Sequence, residues 1–360
     1  VENGLGPKQR ASERLTGTLQ ELMAHYGVPG VSVAVTAEFR ISWAKGYGFA
    51  NVETQARVTP DTIFQAGSIS KAITAAGALR AVEEGRISLD KSINQFLRSW
   101  QLPENEYTMA TPVTLRHLLG HTAGTTVEGY FGYFAEEPLP TLLEVLEGQA
   151  PAKTPPVRVD LPPGTTWRYS GGGYCVVQQA LIDVYGRPFP EIMEAKVLAP
   201  VGMASSFFTE RLEGPREGAA AWAHRANGSV LKSKWLGYPE MAAGGLWLRP
   251  SDLARFVIAL QRALQGDGRG GISVNAATQM VSTTVSGEHG LGLELTQGNY
   301  FRHGGANPGY TSLLIGHRKA ECGAAIMTNS EHGASLIPEI LAAIAAEYEW
   351  PEYFTEGLGG

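Results

Sequence analysis

Only two cysteines, Cys175 and Cys322, occur in 360 residues, too few for a disulfide framework or a cysteine-built zinc site. No uninterrupted apolar run approaches 18 residues, so no membrane span is expected. The net charge is −6 and the basic residues form no cluster. A phosphate backbone has nothing to pull on, which argues against nucleic acid as a partner. The G-x-S-x-G turn that carries the nucleophile of α/β-hydrolases is absent. The run Gly171–Gly172–Gly173 is followed by no Lys-Ser/Thr, so it is not a phosphate loop. The chain opens on Val1 with no signal-peptide pattern after it, and the sequence leaves compartment and oligomeric state open.

What is there suits a large folded core with many tight turns: 43% hydrophobic and 18% charged residues, 44 glycines and 21 prolines. Leu15, Leu19, Leu22, Met23 and Tyr26 recur at helical spacing and Gly27 stops that helix. VSVAVTA from Val31 and ISWAKGYG from Ile41 read as a β-hairpin. Near the other end, HGLGLEL, YFRHGG, YTSLLIGH and ECGAAIMTN read as short strands, and Ile337 to Tyr348 as a closing helix. Between them, Ser68 to Glu84, Thr114 to Gly120, Gly173 to Tyr185, Pro190 to Leu198 and Pro250 to Leu264 read as helices. The expected fold is therefore α+β: an antiparallel sheet built from both termini and flanked by the terminal helices, with a mostly helical region inserted. Residues 1–66 and 290–360 would form the sheet domain and 67–289 the helical one, with the active site at their junction.

A serine beside a base is the first chemistry to look for. Four Ser-x-x-Lys matches occur, at Ser42, Ser68, Ser88 and Ser229. With 20 serines and 9 lysines, chance supplies roughly half a match, so the bare pattern is weak. Context separates the four. Ser42 and Lys45 lie in an expected strand, on opposite faces. Ser88 reads as a helix cap, and Ser229 sits in a hairpin turn. Ser68 opens a long helix, where positions i and i+3 share a face and the hydroxyl can meet the Lys71 amine. The competing reading of Ser68 is a plain N-cap.

A serine needs a base to attack a carbonyl near neutral pH. An ordinary lysine, with a pKa near 10.4, serves only if burial and a hydrogen-bonding partner hold it neutral. Tyr169, in PGTTWRYSGGGY just before a helix, is a candidate to share the proton, or else a packing aromatic in a capping turn. YFRHGGANPGY offers a strand edge whose small residues would let a carbonyl approach backbone N–H groups; alone it reads equally as a glycine-rich hairpin.

Taken in order, these segments resemble the serine β-lactamase and penicillin-binding-protein superfamily. The branch is that of class C β-lactamases, D-Ala-D-Ala carboxypeptidases, D-aminopeptidases and family VIII carboxylesterases. TPDTIFQAGSISKAITA, TLRHLLGHTAG, PPGTTWRYSGGGY, LAPVGMASSFF, AAGGLWLRPSDLARF and FRHGGANPGYTS carry the likeness over most of the chain. The resemblance implies Ser68 as nucleophile, Lys71 as the motif lysine and Tyr169 as the catalytic tyrosine. It places His303, Gly304 and Gly305 at the Lys-Thr-Gly position, and gives the oxyanion to the N–H groups of Ser68 and Ala306. Two departures stand out. Gly171 replaces the asparagine of Tyr-x-Asn, and His303 replaces a permanent cation with a group neutral near pH 7. Both tilt the expectation toward uncharged esters or amides.

The expected activity is thus acyl-enzyme hydrolysis of a small ester, amide or short peptide, of carboxylesterase or D-amino-acid peptidase/amidase type, with no metal or organic cofactor. β-Lactam hydrolysis, acyl transfer, or a non-catalytic scaffold of the same fold are the alternatives. His117 and His121 read as structural, and Cys175 as a buried apolar residue. Trp222, Trp235, Trp247, Tyr130, Phe131, Tyr133 and Phe134 could wall an acyl pocket or pack the core. The insertion around Glu136 is a possible lid.

Overall fold

The computed structural model describes Glu2 and residues 17–296 and 299–354. The described residues form ten strands: β1 (Gly30–Ala37), β2 (Arg40–Asn51), β3 (Ala56–Arg57), β4 (Phe64–Gln65), β5 (Phe207–Phe208), β6 (Leu246–Leu248), β7 (Glu294–Leu295), β8 (Tyr300–Asn307), β9 (Tyr310–His317) and β10 (Gly323–Thr328). Seven form one sheet in the order β3-β2-β1-β10-β9-β8-β7, and its neighbours all run antiparallel. The pairing of β1 with β10, Val31 opposite Thr328, joins the two ends of the chain as the sequence predicts.

The hairpins follow from turn chemistry. Glu38 and Phe39 link β1 to β2 with φ of 54° and 55°, the double left-handed conformation that suits the sheet twist. Pro308 and Gly309 link β8 to β9, with Gly309 at φ 82°, where a side chain would strain the backbone.

Side-chain alternation assigns the two faces of the sheet. Val31, Val33 and Val35 join Leu19, Leu22, Leu336, Ile340 and Ile344 in one apolar cluster, so the helices Leu19–Tyr26 and Gly333–Glu347 cover that face. Ala34, Ala325 and Met327 face a larger core with Phe256 and Val257 of the helix Pro250–Leu264. The expected residue Leu15 of the first helix lies outside the described residues.

Helices Ile69–Glu83 and Gly171–Tyr185 run through the interior of the inserted region and are buried on nearly every side, as apolar residues all round a helix require. The second begins two residues earlier than expected. Glycine is a poor helix former, but a Cβ at Gly172 would meet the Thr126 carbonyl oxygen at 2.6 Å, and the Ser170 hydroxyl caps the Gly173 N–H. Packing against the 126–130 loop overrides propensity there. Two further readings change. Of HGLGLEL only Glu294–Leu295 is strand, because Gly292 turns at φ 82° against Ala75 of the 69–83 helix. A small second sheet, β4-β6-β5, joins Phe64–Gln65, just before residue 67, to two strands of the helical region. It ends beside the Ser68 turn, where the Ala66 N–H bonds the Leu246 carbonyl.

Candidate active site

Ser68 lies at the N-terminus of the 69–83 helix, and its side chain caps nothing. It receives instead a 3.0 Å hydrogen bond from Lys71 Nζ. The other three Ser-x-x-Lys matches diverge. Ser88 accepts the N–H groups of Asp90 and Lys91 within a turn, and begins no helix, contrary to the capping role expected of it. Ser229 bonds Asn227 in a turn, and Ser42 meets the Tyr348 hydroxyl while Lys45 pairs with Glu2.

Lys71 is 2% exposed. Its second bond, 2.9 Å, goes to the carbonyl of Ala243, in the short helix Met241–Gly244. That segment is pinned by Gln178, whose amide bonds Pro239 and Ala242. The AAGG run just before β6 was the sequence signal for this neighbour. Lys71 Nζ also stands 4.9 Å from the centroid of the Tyr169 ring and 5.9 Å from that of Tyr174, within the range where a ring face attracts a cation. Lys71 therefore bridges Ser68 and Tyr169, by a hydrogen bond to one and by the ring face of the other.

The strand β8 is drawn against this turn. Gly67 has φ 54°, and a Cβ there would meet the Ala306 nitrogen at 2.6 Å; a Cβ at Gly305 would meet the Ala66 oxygen at 2.0 Å. Ser312 Oγ ties the same Ala66 carbonyl at 2.8 Å. The glycine at 305 thus admits the Ser68 segment rather than a ligand, while a Cβ at Gly304 would meet nothing within 4 Å. Asn307 Nδ2 fastens β8 to Gln65 and to the Gly244 carbonyl, at 3.0 and 3.2 Å.

Ser68, Lys71, Tyr169 and Ala306 border one open pocket of about 550 Å³. Asn307, Gly244, Tyr238 and Thr154 border it too, and sequence reasoning had singled out none of them. Its apolar wall is Val127, Tyr130, Phe131 and Pro155, and Glu128 adds the one acid. Val127 holds φ 64°, a strained conformation for a β-branched residue. Of the aromatics flagged above, Tyr130 and Phe131 are in the wall. Tyr133, Trp235 and Trp247 are buried in the core. The insertion around Glu136 forms the helix Leu142–Glu147, packed through Val145 and Leu146, and does not border the pocket.

His303 and Gly171 depart from the expected placement. Gly171 is buried in the first helical turn against Glu128 and Tyr130. His303 borders a second cavity of about 50 Å³ behind Tyr169, shared with His121, His289, Trp167 and Glu294. Its Nδ1–H donates to the Gly304 carbonyl. Burial, and then the charge of Lys71, press its pKa down to about 4. The same causes hold His121 well below the usual imidazole value. Beside Lys71 these rings are neutral through the physiological range. Glu240, just before the Met241–Gly244 helix, is a buried carboxyl to which no other described side chain or backbone group donates a hydrogen bond, and burial raises it to about 7.

An antiparallel sheet closed by both chain ends, with a helix-rich insertion carrying Ser-x-x-Lys at its edge, defines the class of penicillin-binding and β-lactamase folds. The chain belongs to the beta-lactamase family, whose profile matches residues 15–348, a family of serine hydrolases. It is 24% identical over 298 residues to the putative penicillin-binding protein PbpX of Bacillus subtilis (strain 168), covering 81% of this chain and 68% of that one. It is 24% identical over 365 residues to the D-aminopeptidase of Gluconobacter oxydans (strain 621H), covering 96% and 64%. The chain thus spans about two thirds of the length of these relatives. Among solved structures it matches the octameric penicillin-binding protein homologue from Pyrococcus abyssi with a TM-score of 0.75 and 26% identity, over 93% of this chain and 77% of that one.

Proposed function

We propose that the protein hydrolyses small uncharged esters or amides through an acyl-enzyme on Ser68. The observation that carries this reading is the 3.0 Å contact between Lys71 Nζ and a Ser68 hydroxyl that caps nothing, at the edge of a large pocket. To take the Ser68 proton the amine must be in its unprotonated form at the moment of attack. Ser68 Oγ attacks the carbonyl carbon and its proton passes to the Lys71–Tyr169 pair. The N–H groups of Ser68 and Ala306 hold the oxyanion. The pair returns the proton to the leaving group, and then activates a water that cleaves the acyl-enzyme.

The pocket supports the substrate class. Lys71 is the cation on its border, and its amine is already bonded to Ser68 and Ala243. Among the described residues a substrate carboxylate therefore finds no free positive side chain there, whereas Tyr130, Phe131, Val127 and Pro155 suit an apolar or aromatic acyl group. Glu128 on the same border, together with the D-aminopeptidase relative, favours a second reading: amides or esters of D-amino acids with a free amine. His303 would act from behind Tyr169 rather than on the substrate.

The test is intact-protein mass spectrometry after exposure to a fluorophosphonate and, separately, to a penicillin, alongside turnover of short-chain esters and D- and L-amino-acid amides. A phosphonylated Ser68 peptide with ester or D-amide turnover is expected, and no lasting penicilloyl adduct. Labelling at another residue, or none with any substrate, would overturn the reading in favour of a non-catalytic scaffold.

A further inference from the structure

We infer that His121 is a positioning residue that holds Tyr169 in its working place, by clamping the backbone on both sides of it. The inference rests on the proposed role of Tyr169. Tyr169 sits in the irregular segment 166–170 ahead of the helix Gly171–Tyr185, and such a segment does not orient a side chain unless its backbone is tied down. Here a single residue ties it twice. The Arg168 N–H donates to the His121 carbonyl at 2.7 Å, and the Ser170 N–H donates to His121 Nδ1 at 3.1 Å. The residues before and after Tyr169 are thus both fastened to His121. The imidazole also lies along the tyrosine, with ring centroids 4.4 Å apart and planes inclined by 31°.

The clamp has a cost in backbone conformation. His121 adopts φ 56°, in the left-handed region, which side-chain-bearing residues seldom occupy. Such strain persists where the surroundings enforce it, and here the ring and the carbonyl of one residue must both face one turn. The clamp also needs an unprotonated Nδ1, since an imidazolium cannot accept the Ser170 N–H. His121 is 6% exposed, and burial together with the charge of Lys71 keeps the ring neutral. Its 121–122 backbone closes the arrangement, with the Gly164 N–H on the Thr122 carbonyl at 2.7 Å.

Because Nδ1 is bonded to Cγ, an asparagine at 121 carries an acceptor in the same place, and asparagine tolerates the left-handed conformation. A glutamine carries its acceptor one atom too far. Steady-state kinetics on the best ester, for His121→Ala, His121→Asn and His121→Gln, each also in a Tyr169→Phe background, test the clamp. Small displacements of a reacting group cost on the order of a hundredfold. His121→Ala and His121→Gln are expected to lower kcat by about that factor with KM within about threefold, and His121→Asn to recover to within about tenfold of the parent. In the Tyr169→Phe background, each is expected to cost less than about twofold further. Equal losses in both backgrounds, or an Asn variant no better than Gln, would overturn the clamp while leaving the role of Tyr169 standing. A Tyr169→Phe enzyme with unchanged kcat would overturn both. If the Ala variant does not fold, the Asn and Gln pair decides.

Discussion

Lys71 reaches back one helical turn to Ser68 and across the fold to the carbonyl of Ala243, at 2.9 Å. The first contact is available to any helix with this spacing; the second exists only once the Met241–Gly244 segment is seated. Together they hold a long flexible side chain in one place, with its amine against the serine oxygen. Because the Ser68 side chain plays no capping role, its chemistry and its contribution to stability separate cleanly.

Ser68→Ala is therefore expected to lower ester turnover by about 10⁴-fold or more and to abolish fluorophosphonate labelling. Its stability should stay within about 0.5 kcal/mol of the parent. Turnover assays and denaturant unfolding check the two halves. Unchanged turnover would remove the mechanism.

Adjacent glycines of β8 should respond in opposite ways. A Cβ at 305 collides with the Ala66 carbonyl and the Ser312 hydroxyl, whereas one at 304 enters open space. Gly305→Ala is expected to destabilise by about 1–3 kcal/mol and to cost activity, since Ala66 leads into the Ser68 turn. Gly304→Ala should unfold at nearly the parent denaturant midpoint. Equal midpoints for the two would show that the strand and the turn are not in close contact.

Glu240 makes stability depend on pH in a direction opposite to that of most carboxylates. Its carboxyl is buried near Tyr130, Tyr133, Tyr238 and Cys175, with Glu210 and Lys153 also felt. The folded state keeps the proton up to about 7, whereas the unfolded chain releases it near 4.5. Between these values the folded state binds more protons, so stability falls as pH rises. Relative to Glu240→Gln, the parent should lose about 3 kcal/mol between pH 4.5 and 8. Unfolding of both proteins at the two pH values measures this; a constant difference would sink it.

His303 works in the other direction. Its pKa is lowered to about 4, from 6.5, so below 6.5 the unfolded chain binds the proton first. Stability present above 6.5 is lost as pH falls toward 4. His303→Asn should flatten the acid decline in Tm between pH 6.5 and 4.5. In the parent, His303 should produce no inflection in kcat between pH 5.5 and 8. A histidine resonance at this position titrating near 6.5 by NMR would refute the assignment.

Strand and helix identity were legible wherever a period or a turn pair declared them. The β1–β2 hairpin, the β8–β10 meander and the Pro250–Leu264 helix all follow local pattern. The likeness of ordered motifs implies a common site for Ser68, Lys71, Tyr169 and Ala306, and all four border one pocket. Less legible were the elements that long-range contact decides. Gly171 and Gly172 fall outside the expected helix until the 126–130 segment is packed on them, and Gly292 breaks an apparent strand because it meets Ala75. Local pattern likewise read Gly305 as room for a substrate, but that room is taken by Ala66.

Ser68 and Lys71, three residues apart on one helix, are a local fact: helical periodicity alone brings their side chains to one face. The sheet joined from both ends is nearly as local, since alternation and turn residues mark its strands. The partners that give the pair its setting are another matter. Ala243, His121, Tyr238 and the β8 backbone lie far away in the chain, and local periodicity gives no sign that they meet the pair. Only the closing of the fold brings them in, because hydrogen bonds and close packing depend on distances in space that separation along a chain does not encode.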